Sequence, residues 1–329
     1  MKEKLRVAAE KLRIVFMGTP EFAVASLDAL LGAGCNVVGV VTMPDKPVGR
    51  HHETLQASAV KQYAVEHGLP VLQPEKLRDE EFLSALRQWN ADLQVVVAFR
   101  MLPEVVWDMP RLGTFNLHAA LLPQYRGAAP INWAIINGET ETGVTTFFLD
   151  HDIDTGRIIL QERCPIAETD NAETIHDRLM EMGARAVVET VQRIADGRAD
   201  SVAQETLVGD ASLKPAPKIF RETCQIRWQE LGAKQAYDFV RGLSPYPAAW
   251  ATLCTADGHE AQLKVFRASF RLAATDVPAG TLHTDGKATL EVALRDGWLS
   301  LQEVQLAGKK RMPIEEFLRG AKLQNAHLA

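Results

Sequence analysis

Three short, almost wholly apolar runs, Ile14 to Met17, Val37 to Val41 and Leu93 to Phe99, constrain the fold more than any other feature of the chain. Each is too short to cross a membrane and reads as a strand buried on both faces. Between the first two, Phe22, Val24, Leu27, Leu30 and Leu31 recur at helical spacing, and Gly32-Ala-Gly34 ends that helix. Further helices are expected over 57–66 and 80–89. Strand–helix–strand alternation argues an α/β fold, a parallel sheet wrapped by helices. The first turn, Gly18-Thr-Pro20, lacks the G-x-G-x-x-G dinucleotide fingerprint, which argues against a dehydrogenase.

The most informative stretch runs from Thr114 to Pro130. Residues 114–118 read as a strand, with Phe115 and Leu117 on one face and Asn116 and His118 on the other. Two polar side chains on one face, near the end of a strand, suit a site: in open α/β sheets ligands bind outside the carboxyl ends of the strands. Asn offers an amide donor, and His can donate, accept or carry charge near neutral pH. Taken singly, each is as readily a capping Asn or a satisfied structural His. Pro123 and Gly127 shape the following loop before a helix restarts near Ala128. A second strand, 143–149, leads into the acidic turn Asp150-His-Asp-Ile-Asp-Thr-Gly156, whose carboxylates could serve only solvation or capping. A strand over 157–164 and an amphipathic helix over 172–195 follow.

The chain's 329 residues, 47% of them hydrophobic, can bury a core in each of two domains. Residues 1–11 read as an N-terminal extension, 12–198 as the first domain, 199–216 as a linker and 217–329 as the second. A cut after Gly197 is then expected to leave a folded first domain. In the second domain short runs such as 249–253, 261–266 and 297–301 are separated by Asp257-Gly, Asp285-Gly and Asp296-Gly turns, the pattern of a small β-barrel. A helix around 235–242 precedes it. Residues 1–216 carry 21 Lys and Arg against 30 Asp and Glu, and the remainder 15 against 12, so a mildly basic domain follows an acidic one. Cys35, Cys164, Cys224 and Cys254 are far apart and form no metal-ligand pair, which fits reduced thiols in the cytoplasm. The start resembles neither a signal peptide nor a membrane anchor. Residues 42–53 hold two prolines, a glycine and several charges, and read as a long exposed loop.

The run Asn116-x-His-x-Ala-Leu-Leu-Pro-x-Tyr-Arg-Gly-Ala-Ala-Pro130, with Asp150-x-x-x-Asp-Thr-Gly156, resembles the signature of the folate-dependent formyltransferases. Ala120 stands where many relatives have Ser. The resemblance extends from about Leu12 to Gly320. It implies a Rossmann-like catalytic domain and a C-terminal OB-like barrel. It implies transfer of the formyl group of 10-formyltetrahydrofolate, without a metal, to the α-amino group of methionine on initiator tRNA, by a cytoplasmic monomer with no membrane partner.

The resemblance places catalysis on Asn116, His118 and Asp154, and folate contacts on Ala120, Leu121, Leu122, Pro123, Arg100 and Leu102. Contacts with tRNA fall on Lys46, Arg50, His51 and His52 in the 42–53 loop, and on Lys309, Lys310 and Arg311. Relatives often read Gly-x-Ile-Leu-Pro near Arg100, and follow Arg50 with Gly and lysines. The chemistry suits these residue types. Asn116 and His118 can donate hydrogen bonds to the oxygen that becomes negative as the amine attacks, and Asp154 can orient His118 and help take the amine proton. Two other readings stay open: formyl transfer to a nucleotide-linked amino sugar, and a non-catalytic tRNA-binding protein on the same scaffold.

Overall fold

The structure, a computed structural model, describes residues 10–48, 54–208, 212–321 and 323–329. Arg50, His51 and His52, and residues 1–9 of the expected extension, lie outside these. In chain order the elements are β1 (Ile14–Gly18), α1 (Glu21–Gly32), β2 (Val37–Val41), β3 (Lys46–Val48), β4 (Thr54–Gln56), α2 (Ala59–Glu66), β5 (Val71–Leu72), α3 (Glu80–Gln88), β6 (Leu93–Val97), α4 (Glu104–Trp107), β7 (Thr114–His118), α5 (Pro130–Ile136), β8 (Glu141–Phe148), β9 (Ile158–Pro165) and α6 (Ala172–Ala195). Then come α7 (Ala233–Leu243), β10 (Ala249–Cys254), β11 (Glu260–Leu272), β12 (Leu282–Thr284), β13 (Leu290–Leu294), β14 (Gly297–Leu306), β15 (Met312–Pro313), α8 (Ile314–Gly320) and β16 (His327–Leu328).

The apolar runs form the centre of a seven-stranded sheet ordered β5-β2-β1-β6-β7-β8-β9. β1 pairs in parallel with β2 and β6, and β6 with β7, whereas β7 and β8 run antiparallel. Every residue of β1 and of β6 is buried, as strands covered on both faces require. The carboxyl end of β7 therefore falls beside the ends of β6 and β1, where an open α/β sheet presents its binding crevice.

One expectation fails in residues 42–56. Instead of an irregular loop, Lys46–Val48 pairs with Thr54–Gln56 as an antiparallel ribbon, with Pro47 opposite Leu55. An isolated two-stranded ribbon has only edges, and there a missing backbone N–H is tolerated, so the proline does not exclude a strand.

The strands of the C-terminal part form a second sheet ordered β12-β13-β14-β11-β10-β16, with β15 on β14. Its strand pairs are antiparallel, and it curls until Thr281 bridges His327, giving the near-barrel expected. Trp228, Leu263, Val265, Val292 and Leu299 lie in its core with none of their surface exposed.

The chain divides into two compact units that are discontinuous in sequence. One comprises Met1–Gly127, Thr142–Cys164 and His176–Pro215; the other comprises Ala128–Glu141, Pro165–Ile175 and Ala216–Ala329. Within the second unit α5 packs on α7. Asn132 Nδ2 donates to the Gly242 carbonyl (2.8 Å), and Gly242 has no room for a Cβ, which would come within 2.7 Å of Ile136 Cγ1.

The same unit buries an ion pair. Arg241 Nε donates to Asp238 Oδ1 (2.8 Å), and Arg241 Nη1 reaches the carbonyls of Asp170 (2.8 Å) and Ala167 (3.2 Å). Both side chains are over nine-tenths buried, whereas Lys234, the second partner of Asp238, is 44% exposed and screened. Asp238→Ala should therefore destabilise the protein by roughly 3–5 kcal/mol, since it strands a buried guanidinium. A denaturation midpoint displaced by less than about 1 kcal/mol would show that Lys234 and the carbonyls satisfy Arg241 without Asp238.

Candidate active site

β7 delivers its side chains as the alternation requires. Phe115 and Leu117 enter the core, while Asn116 and His118 share the other face. His118 is 6% exposed. Its Nε2 lies 2.8 Å from the Tyr125 carbonyl, and a carbonyl can only accept, so Nε2 carries a proton. Nδ1 is left facing Asp154 Oδ2 at 3.8 Å. In the neutral imidazole that nitrogen is a bare lone pair, and in the imidazolium it becomes a donor toward the carboxylate.

Two loops hold the carboxylate against the imidazole. Asp154 Oδ2 accepts from the Gly127 N–H (2.9 Å). Gly127 has φ of 125°, a backbone that L side chains rarely adopt, which explains glycine after Arg126. Asp154 and Tyr125 also sit at positive φ, 55° and 60°. Non-glycine residues held there cost about 1–3 kcal/mol each and cluster at functional sites. Gly156 closes the acidic turn because a Cβ there would lie 1.6 Å from the Phe148 carbonyl oxygen. Asp150 shapes the same turn, accepting from Thr155 Oγ1 (2.6 Å) and the Asp152 N–H (3.2 Å).

The segment expected to touch folate is braced. Thr145 Oγ1 donates to the Ala120 carbonyl (2.6 Å) and accepts from the Leu122 N–H (3.2 Å), and Gln161 Nε2 donates to the Leu122 carbonyl (2.7 Å). The side chains of Ala120, Leu122 and Pro123 are buried, and that of Leu121 is half-buried and packs on Gly143. These four residues shape the loop through packing and main-chain bonds. The side chains of Arg100 and Leu102 are engaged within the protein. The Arg100 guanidinium caps the carbonyls of Pro74 and Glu75, and burial pulls its pKa below the ordinary arginine value. Leu102 belongs to the core with Val15, Met17 and Val96. Both line a cleft of about 470 Å³ with Lys76, Arg78 and Pro103.

Of the residues expected to meet tRNA, Lys46 is exposed on β3, and Lys309 and Lys310 are exposed after β14. Arg311 is already bound to Glu303 through two hydrogen bonds (2.8 and 2.7 Å) and lies over the Phe266 ring at 4.3 Å. Among the described residues no three His, Cys, Asp or Glu side chains are grouped to hold a metal, and no helix is long and apolar enough to cross a membrane.

Described residues of the 199–216 segment, expected as a linker, bond to residues around this site. Val202 exchanges main-chain hydrogen bonds with Ile158 (both 2.9 Å), and Lys214 and Tyr125 are joined by Tyr125 N–H donating to the Lys214 carbonyl (2.7 Å). Gln204, wholly buried, reaches both loops of the site. Nothing periodic marks it in the sequence.

An imidazole and a carboxylate in proximity, with an amide on the same strand face as the imidazole, are groups that can transfer protons and stabilise an oxyanion in group transfer. The comparisons name the group transferred. The family model described as Formyl transferase matches residues 12–191, and Formyl transferase, C-terminal domain, matches 218–322; the chain belongs to the formyl transferase family and is a formyltransferase. It is 65% identical to the methionyl-tRNA formyltransferase of Parabacteroides distasonis over 314 residues, covering 95% of this chain and 97% of that one. To the Bacteroides fragilis protein of the same name it is 59% identical over 317 residues, 96% and 97% of the two chains. Among solved structures, an N-formyltransferase from Helicobacter canadensis in complex with folinic acid and dTDP-3-aminofucose matches with a TM-score of 0.60 at 17% identity, over 88% of this chain and 99% of that one. At that identity the likeness shows the fold alone.

Proposed function

We propose that this protein transfers the formyl group of 10-formyltetrahydrofolate to the α-amino group of methionine on initiator tRNA, acting as a cytoplasmic monomer. The observation that carries this reading is 65% identity, over nearly the full length of both chains, to a methionyl-tRNA formyltransferase. The arrangement of Asn116, His118 and Asp154 fits the chemistry. The neutral amine attacks the formyl carbon, and the formyl oxygen takes up negative charge. Asn116, whose amide makes no hydrogen bond with a described residue, donates to that oxygen. His118 Nδ1, which lies 3.8 Å from Asp154 Oδ2, accepts the amine proton, and Asp154 stabilises the resulting imidazolium. The same Nδ1–H then protonates the departing folate nitrogen, so one nitrogen carries the proton from attacking to leaving amine. Holding both substrates in register supplies much of the remaining rate.

Ala120, Leu121, Leu122 and Pro123 belong to the folate side in this reading, and Arg100 and Leu102 support the cleft beside it. Lys46, Arg50, His51, His52, Lys309, Lys310 and Arg311 serve the tRNA. The test is incubation with labelled formyl donor and three acceptors: charged initiator tRNA, charged elongator methionine tRNA and a nucleotide-linked amino sugar. Label is expected on the initiator; label on the sugar alone would refute the acceptor assignment. Affinity for tRNA should also fall steeply with added salt, because lysines and arginines displace counterions from phosphates. A flat salt profile would remove the basic residues from the interface.

A further inference from the structure

Gln204 is wholly buried in a segment that carries no other mark of function, and every hydrogen-bonding group of its amide is engaged. Nε2 donates to the main-chain carbonyls of Asp154 (2.9 Å) and Gly156 (2.8 Å), and Oε1 accepts from Arg126 Nε (3.1 Å) and Nη2 (2.7 Å). One side chain thus clamps two loops far apart in sequence. Arg126 immediately precedes Gly127, whose N–H holds the Asp154 carboxylate. At the other end Gln204 bonds to Asp154 itself, whose positive φ turns that carboxylate back toward the loop. A strained backbone persists only when its surroundings over-determine it. Gln204 constrains both ends of the Asp154–Gly127 contact and so the 3.8 Å approach of Asp154 to His118.

We infer that Gln204 is a positioning residue for the reaction, setting Asp154 against His118 without touching either substrate. The inference rests on the proposed role of Asp154. A carboxylate displaced by about 1 Å can cost on the order of 10²-fold in rate. Only a side chain with donors on one end and an acceptor on the other satisfies both loops, so methionine of similar length keeps the packing and loses the clamp. Glutamate keeps the acceptor for Arg126 but has nothing to donate to the two carbonyls.

The test compares Gln204→Met, Gln204→Glu, Asp154→Asn and the Gln204→Met/Asp154→Asn pair in the full chain, measuring kcat, both KM values and tetrahydrofolate affinity. Gln204→Met is expected to lose kcat by about 10²-fold with KM values near the parent's. In the Asp154→Asn background it should cost nothing further, because a residue acting through Asp154 has nothing left to position. A merely structural role would instead give an additive loss in that background, together with weakened tetrahydrofolate binding, and would overturn the inference. Should Gln204→Met fold poorly, Gln204→Glu decides: parent-like kcat in it refutes the clamp. Slow Asp154→Asn with a fast Gln204 variant defeats the inference alone, whereas parent-like turnover in Asp154→Asn defeats the reading of the site beneath it.

Discussion

Replacing Asn116 or His118 with alanine is expected to lower turnover by about 10²–10³ per residue, with little change in affinity for tRNA or folate. The two losses have different origins. Asn116 is half-buried on β7 and its amide makes no hydrogen bond with a described residue, so in the proposed reaction its deletion removes a donor to the developing oxyanion. His118 is fixed by its Nε2–H donating to the Tyr125 carbonyl, and its deletion removes the proton carrier at Nδ1. His118→Gln separates these jobs, because a glutamine amide can still donate to Tyr125 but cannot carry the proton. It should fold as the parent does and remain as slow as His118→Ala. The double variant Asn116→Ala/His118→Ala should be less impaired than the product of the single losses, since residues that act as a unit are not additive. Single-turnover formyl transfer measures all of these, and near-parent rates in both single variants would remove β7 from the chemistry.

The legibility of the sequence varied with the kind of constraint each residue obeys. β1, β2 and β6 were readable because strands buried on both faces leave continuous apolar runs. The shared face of Asn116 and His118 was readable because side chains alternate along a strand. Asp154, by contrast, became specific only through resemblance, since acidic turns are common. The β3–β4 ribbon was hidden by Pro47, which an edge tolerates. The work of Arg100 was hidden because the carbonyls that it caps lie 25 and 26 residues earlier, at Glu75 and Pro74. Gln204 was least visible of all: a lone glutamine in an aperiodic stretch gains its role from partners 48 to 78 residues away. What propensity and period encode is local; what the loops of the site need is tertiary.

That distinction bears most heavily on the domain boundary. A break after Gly197, natural in the sequence, should not yield a cooperatively folded domain. The residues that would be left behind include 128–141 and 165–175, which belong to the same compact unit as 216–329. Their hydrogen bonds would lose one partner each: Trp133 Nε1 with the Pro217 carbonyl (2.8 Å), Asn132 Nδ2 with Gly242, the Ala129 N–H with Ala216 (3.2 Å), and the Glu168 carbonyl with the Tyr237 hydroxyl (2.8 Å). The carbonyls of Ala167 and Asp170 would lose Arg241 as well. A group left buried and unsatisfied costs about 1–3 kcal/mol, although water repairs those that the cut exposes. The cut would also remove Val202 from the edge of β9 and Gln204 from the Asp154 turn. Against a total stability of roughly 5–15 kcal/mol, a handful of such losses decides the outcome. The expected result for residues 1–197 is a broad thermal transition, rapid proteolysis across 128–141 and no measurable tetrahydrofolate binding. A sharp transition with parent-like folate affinity would show that the first unit closes without those partners, and would restore the simple boundary at Gly197.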